Sequence, residues 1–392
     1  YIGIFIIMFS VISSGMVAVM TQNIGAGRPG VAYQARQLGL AFNAVLGIIM
    51  SLFLSLGAGT ILSGVGVADA LMQPAKTYLQ IVGGFCILNA LIPICSSYLR
   101  AFGFSKEPLY ASIIGNVINF CLNAFFLFVL HKGVAGVATA TVISRIINLV
   151  IVVLLGAVLV KAKQHPERES NRAVMGQIIR IGLPSACETA IYNVSMTLVI
   201  RFLNQMDAQG LNVTARSYTM QITNFSYCVG AALAQANAIM TGWHIGAKEY
   251  DACDRGTRKA AIIGVIVAVI LETMFALCSG WIMQLFSKDP QMVSLVGKLL
   301  AIDIVLEMGR VTNLVYGQAL KTSGDAVFPV VMGACFMILC SVGGTYLFGI
   351  RLGLLAVGAY IGMAGDECVR AVGMYLRWKS GKWKEKGLVK SR

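Results

Sequence analysis

Charge is scarce in this chain. Only 12% of its 392 residues are Asp, Glu, Lys or Arg, where a soluble domain carries about 25%. With 57% hydrophobic residues and a mean hydropathy of +0.77, the polypeptide cannot clothe a water-facing surface. The solvent it implies is lipid. Histidine is scarcer still: His131, His165 and His244 are scattered, and no HExxH or Ser–His constellation marks a hydrolytic site. The ten cysteines form no CxxC pair, and nearly all lie in apolar stretches, so they read as small packing residues and not as a disulfide or metal framework. A GxxxxGK[ST] phosphate loop is also missing, which leaves the chain without a nucleotide motor of its own. These absences argue against an enzyme, a metal centre and a bound cofactor.

What is present is a succession of apolar runs. About 20 residues at 1.5 Å rise cross ~30 Å of hydrocarbon, and only helices or closed barrels satisfy their backbone there. Eleven runs reach that length, at approximately 1–21, 38–63, 77–99, 108–130, 133–160, 181–203, 213–243, 259–285, 292–319, 327–349 and 353–377. Each is too long for a lipid-embedded strand, so the expected class is an all-α polytopic membrane protein. Pro93 is expected to kink the third run.

The net charge of +14 is read from the loops and not as nucleic-acid affinity. One set of loops, Lys321 among them, and the C-terminal tail hold 22 basic residues, and the opposite loops hold five, Lys76, Lys132, Arg201, Lys288 and Arg351. The positive-inside bias puts the first set, with the C-terminus, in the cytoplasm of a plasma-membrane protein. Trp378 and Trp383 then fit interface anchors. A polar connection, Lys161 to Gln177, separates two halves.

Those halves echo each other. Ile24-Gly25-Ala26 recurs as Ile245-Gly246-Ala247, Leu99, Gly103 and Pro108 as Leu320, Gly324 and Pro329, all 221 positions on, and Gly133 as Gly353, 220 on. The pattern predicts two bundles of equal topology, related by an axis along the membrane normal. At this offset the span 181–203 maps to positions before the first residue. The expectation is therefore that one helix precedes Tyr1, making six plus six in an intact fold and eleven here. The domains follow: an N-terminal lobe over 1–160, a linker over 161–180, a C-terminal lobe over 181–377 and a basic tail over 378–392.

Ionisable residues at membrane depth are costly and mark function. Glu188, Glu272 and Asp303 sit at comparable depths on three different runs, a set that could hold a cation or a proton that is taken up and released as the surroundings change. Asp303, Glu307 and Arg310 share one helical face, with Glu307–Arg310 also readable as a neutralising ion pair. Asp366, Glu367 and Arg370 allow the same local pairing. The first half has no mid-span carboxylate. It offers Arg145 and a stripe, Asn116, Asn119 and Asn123, facing the bundle interior as a polar cleft or as helix–helix glue.

Several stretches, in this order and spacing, resemble the multidrug and toxin extrusion (MATE) family: TQNIGAG (Thr21 to Gly27), GVAGVATATVISR (Gly133 to Arg145), GLPSACE (Gly182 to Glu188), QALKTSGD (Gln318 to Asp325) and MYLRWKSGKW (Met374 to Trp383). The resemblance covers essentially the whole chain. It implies two six-helix lobes and antiport, with proton or sodium influx driving export of drugs or metabolites. Glu188 resembles an acid that many members carry shortly after this GLP; others carry it one turn later, at Tyr192 in this chain. Asn119, Asn123 and Thr141 resemble the N-lobe proton site, but an aspartate usual at Asn123 is here an amide that cannot titrate.

The expected function is secondary active export of a small cationic or aromatic substrate by a monomer in the bilayer, with H+ or Na+ as the coupling ion. Coupling is assigned to Glu188, Glu272, Asp303 and Glu307. Substrate contact is assigned to Asn119, Asn123, Thr141, Arg145 and Tyr192. The alternative is a flippase for lipid-linked oligosaccharides, or a flavin or metabolite exporter, of related two-lobed build. A pyrophosphate carrier needs several cleft cations, and at membrane depth this chain offers Arg145 and Arg310 against at least three acids.

Overall fold

A computed structural model describes residues 2–65, 69–160, 167–207 and 210–389, with the backbone alone at 2–8, 10 and 65. Residues 161–166 of the expected linker and 390–392 of the tail lie outside the described residues. Among those described, the regular structure is entirely helical. The chain divides into two compact units, Tyr1–Leu183 and Pro184–Arg392.

The first unit holds α1 (Ile2–Gly25), α2 (Pro29–Leu56), α3 (Ala58–Val65), α4 (Asp69–Tyr78), α5 (Ile87–Ala101), α6 (Lys106–Ala124) and α7 (Gly133–Leu159). It also holds the first turns of α8 (Asn171–Met206), which begins inside the stretch expected as linker. Two glycines explain why those turns belong here. A Cβ on Gly15 would meet the Ile178 carbonyl oxygen at 1.9 Å, and one on Gly182 would meet that of Val11 at 1.7 Å, so α1 and α8 touch backbone to backbone.

The second unit continues α8 and adds α9 (Leu211–Gly246), α10 (Tyr250–Leu277), α11 (Ser279–Met283), α12 (Pro290–Thr322), α13 (Val327–Phe336) and α14 (Leu355–Lys379). Helix α12 is its axis, packing against α9, α10 and α14.

The repeat read from the sequence is written in the backbone. Helices α2 and α10 start 221 residues apart, as do α6 and α13. Left-handed turns recur at the same offset: Gly27 (φ 71°) with Lys248 (φ 62°), and Gly103 (φ 89°) with Gly324 (φ 99°). The conformation is easy for glycine and strained for lysine, so topology and not local preference holds Lys248 there. A π-helical turn follows α6 at Phe125–Val129, and another lies at Thr345–Arg351 after α13.

One expectation changes. The third run bends by 41° at the break before Ile87, not at Pro93, which α5 carries without interruption. The bend follows a π-helical turn at Leu79–Gly83, where Gly83 lets the Leu54 side chain approach closely. By length and composition alone, five helices among the described residues pass as membrane spans, or six if that bent pair counts as one span. Helices α12 and α14 carry more charge; Asp303 and Glu307 on α12 and Asp366, Glu367 and Arg370 on α14 are buried, whereas Lys298 and Lys379 are exposed.

The tail departs as well. Trp378 and Trp383 are not interface anchors: both are buried, stacked at 4.1 Å. Gly381, at φ 70°, turns the chain back, and the Trp383 indole N–H donates to the Trp378 carbonyl at 2.9 Å. Asp325 then accepts from Arg377 at 2.7 Å and from Lys386 at 3.2 Å, fixing the tail to the α12–α13 turn.

Candidate functional site

Helix α12 presents one polar face along most of its length. Asp303, Glu307, Arg310, Leu314, Gly317 and Lys321 follow at steps of three or four residues, about 27 Å from first to last. Its neighbours complete the site.

The most enclosed part lies between α9, α10 and α12. Glu272 of α10 is 0% exposed, and neither of its carboxylate oxygens has a hydrogen-bond partner. One oxygen of Asp303 and one of Glu307 are equally unpartnered and buried. Asp303, Glu307 and Arg310 act electrostatically on Glu272, and the Ser226 hydroxyl of α9 lies beside it, off hydrogen-bonding geometry. Three of the four acids assigned from the sequence thus converge. Buried carboxylates without partners are costly and persist mainly at functional sites.

A ladder of charges leads away from this cluster. Arg310 pairs with Glu307 on its own helix and lies 3.5 Å from Glu367 on α14. Glu367 also accepts from the Asn313 side-chain amide at 3.0 Å and pairs with Arg370 at 2.8 Å. Arg370 in turn grips Asp366 through two contacts of 2.9 and 3.0 Å, and the Ser341 hydroxyl donates to Asp366 at 3.0 Å. The local pairings read from the sequence are present. The rung joining α12 to α14 was invisible, because Arg310 and Glu367 are 57 positions apart.

Two cavities flank the ladder. One, of about 240 Å³, is lined by Glu188, Lys321, Glu367 and Arg370; the other, of about 260 Å³, by Arg216, Asp303 and Tyr360. Tyr192, Tyr227 and Arg310 line both, so these side chains form the wall between them. The Arg310 guanidinium stands over the Tyr227 ring at 5.9 Å. Glu188, the fourth assigned acid, is separate from the other three and pairs with Lys321 at 2.6 Å. Counting Lys321 among the loop charges missed this role, since it sits in the last turn of α12 and faces inward. Nothing in the sequence pointed to Tyr227.

Among the described residues the first unit has no counterpart. The Asn123 amide donates to Asn119 at 3.1 Å, the Asn119 amide to the Ser144 hydroxyl at 3.3 Å, and that hydroxyl to the Thr141 carbonyl at 2.9 Å. This uncharged chain stitches α6 to α7. Asn116, expected on the same inward stripe, is exposed, because Gly115 is the residue that α6 turns towards α7. Arg145 is half-buried on α7, near Cys86. Tyr192, grouped with these residues from the sequence, belongs to the second unit.

All ten cysteines are free. Among the described residues no group of three or more His, Cys, Asp or Glu side chains converges to hold a metal ion.

Comparison with known proteins is consistent along the chain. The MatE family model matches residues 2–125 and 184–347. An uncharacterized transporter of Bacillus subtilis, YisQ, is 32% identical over 99% of this chain and 86% of its own length. The probable multidrug resistance protein NorM of Thermotoga maritima is 22% identical over 96% of this chain and 82% of its own. A MATE crystal structure in the bent conformation, 18% identical, superposes with a TM-score of 0.87 over 97% of this chain and 86% of that one.

Proposed function

The chain belongs to the MatE family of multidrug efflux transporters, and on that premise we propose that it is a secondary antiporter that exports small amphipathic molecules against an inward flow of protons. The observation that carries this reading is the set of unpartnered carboxylate oxygens on Glu272, Asp303 and Glu307, shut inside one unit around Arg310. An ionised carboxyl only accepts hydrogen bonds, whereas a protonated one also donates. A single proton placed among these acids satisfies an acceptor and removes a charge from the interior. Its departure restores the tension, and a site with two such states suits coupling by alternating access. One proton entering down a roughly tenfold concentration gradient supplies about 1.4 kcal/mol, enough for about a tenfold outward gradient of an exchanged monocation.

The cavities beside the cluster support a substrate with an aromatic or cationic part, since Tyr192 and Tyr227 offer ring faces and Glu188 an acid. The loop charges support a C-terminus in the cytoplasm of the plasma membrane.

The test is efflux of a fluorescent cationic dye from vesicles carrying the full protein, with a proton or a sodium gradient imposed separately. Proton-driven efflux that vanishes in Glu272→Gln supports the reading. Efflux driven only by sodium reassigns the ion, and efflux indifferent to both gradients refutes antiport.

A further inference from the structure

Three cations line the cavity that contains Glu188, and they are not held alike. Arg310 is engaged by Glu307 and Glu367, and Arg370 by Asp366 and Glu367. Both guanidiniums bridge acids on a rigid ladder. Among the described residues Lys321 pairs with Glu188 alone. Its ammonium is a point charge on a flexible four-carbon stem, and each of the two side chains is 14% exposed through the cavity.

The contact itself is unusual. Lys321 Nζ lies 2.6 Å from Glu188 Oε2, yet that oxygen is buried and has no aligned hydrogen bond. The pair is a close contact between one ammonium and one carboxylate oxygen, with no second cation on Glu188 among the described residues. Around it the cavity offers what an organic cation needs besides an acid: the rings of Tyr192 and Tyr227 and the thioether of Met337. Its volume of about 240 Å³ admits a small aromatic cation or the cationic end of a larger one.

We propose that Lys321 is a tethered counter-cation: it occupies the cation subsite at Glu188 when the cavity is empty, and an organic monocation is bound by displacing it. The inference rests on the reading of this chain as an exporter and adds how its cavity selects a cargo. Lys321 keeps Glu188 compensated between turnovers, so no uncancelled charge is left buried in the empty state. It also sets a threshold, because a cation must outcompete an ammonium already in place. Small hydrated ions gain little by the exchange, whereas an aromatic cation adds ring contacts that lysine lacks.

The experiment is equilibrium binding of ethidium to the purified full chain in nanodiscs with no gradient across them. Its outcome is thus independent of whether transport is proton-driven. Lys321→Met removes the competing charge at nearly constant length, and ethidium is expected to bind about tenfold tighter or more. Adding Glu188→Gln to that variant is expected to abolish the gain. Lys321→Arg, which offers a fork able to grip the carboxylate in two places, is expected to bind ethidium more weakly than the unsubstituted protein and covers the case in which Lys321→Met does not fold. Unchanged or weaker binding in Lys321→Met, a gain that survives Glu188→Gln, or tighter binding in Lys321→Arg overturns the proposal. A gain seen for sodium with ethidium excluded overturns the assignment to an organic cation.

Discussion

The two units repeat the same turns at the same spacing, yet their interiors are chemically opposite. Inside the first, polar contacts are made by amides and hydroxyls, as in the chain from Asn123 to the Thr141 carbonyl. Its ion pair Arg28–Glu169 joins partly exposed side chains near the helix ends. Inside the second, Glu272, Asp303, Glu307, Asp366 and Glu367 are all buried, with Arg216 and Arg370. Of the 17 acids in the chain, 13 follow Leu183. The difference shows that one backbone plan serves two purposes. Neutral hydrogen bonds hold helices together whatever the protonation of the surroundings, whereas buried carboxylates can take up or release a proton, the role proposed above for the second unit.

The largest effect expected from this contrast is on stability. Arg310→Met strands Glu307 and Glu367 without their shared cation and is expected to cost about 3–5 kcal/mol. Arg28→Met in the first unit, where both partners reach water, is expected to cost about 0–1 kcal/mol. Equilibrium unfolding in mixed micelles measures both, and equal costs break the comparison.

Glu272→Gln sharpens it in the other direction. Replacing an acid whose buried, unpartnered oxygens penalise its ionised form is expected to stabilise the protein by about 1 kcal/mol even as gradient-driven efflux is lost. A loss of stability shows instead that Glu272 is satisfied in the resting state. For the first unit, Asn119→Ala breaks two links of the uncharged chain and is expected to cost about 1 kcal/mol, at about 0.6 kcal/mol a link, with the gradient dependence of efflux unchanged. A shifted gradient dependence gives the first unit a coupling role.

The smallest effect is at the loop before α9. Burial acts to raise the Asp207 carboxyl, but hydrogen bonds from Asn212, Leu211 and Gly210 outweigh it and hold the group below its ordinary range. A depressed folded-state value means the stabilisation is present above the unfolded value, near pH 4, and is lost as pH falls through the lower folded one. Amide exchange in the first turn of α9 is expected to quicken on acidification below about pH 4, and Asp207→Asn to flatten that response.

Much of this was legible before any coordinates. Scarcity of charge named lipid as the solvent, and the offset of 221 found its echo in the paired turns at Gly27 and Lys248, and at Gly103 and Gly324. The pairings within one helix, Glu307 with Arg310 and Asp366 with Arg370, were readable because three- and four-residue steps share a face. Contacts made across helices were not. Lys321 looked like a loop cation, Trp383 like an interface anchor, and Pro93 like the kink, since each reading used only near neighbours in the chain.

By itself the sequence determined that this chain is a bundle of membrane helices, that it is built twice on one plan, and that titratable groups crowd its second half. Those properties follow from composition and period, which any segment carries with it. Only the tertiary structure decided which acids share a dry cluster, which cation stands at Glu188, and that Arg310 links α12 to α14. The physical reason is that a buried charge is set by what packs around it, and those neighbours come from helices tens of residues away.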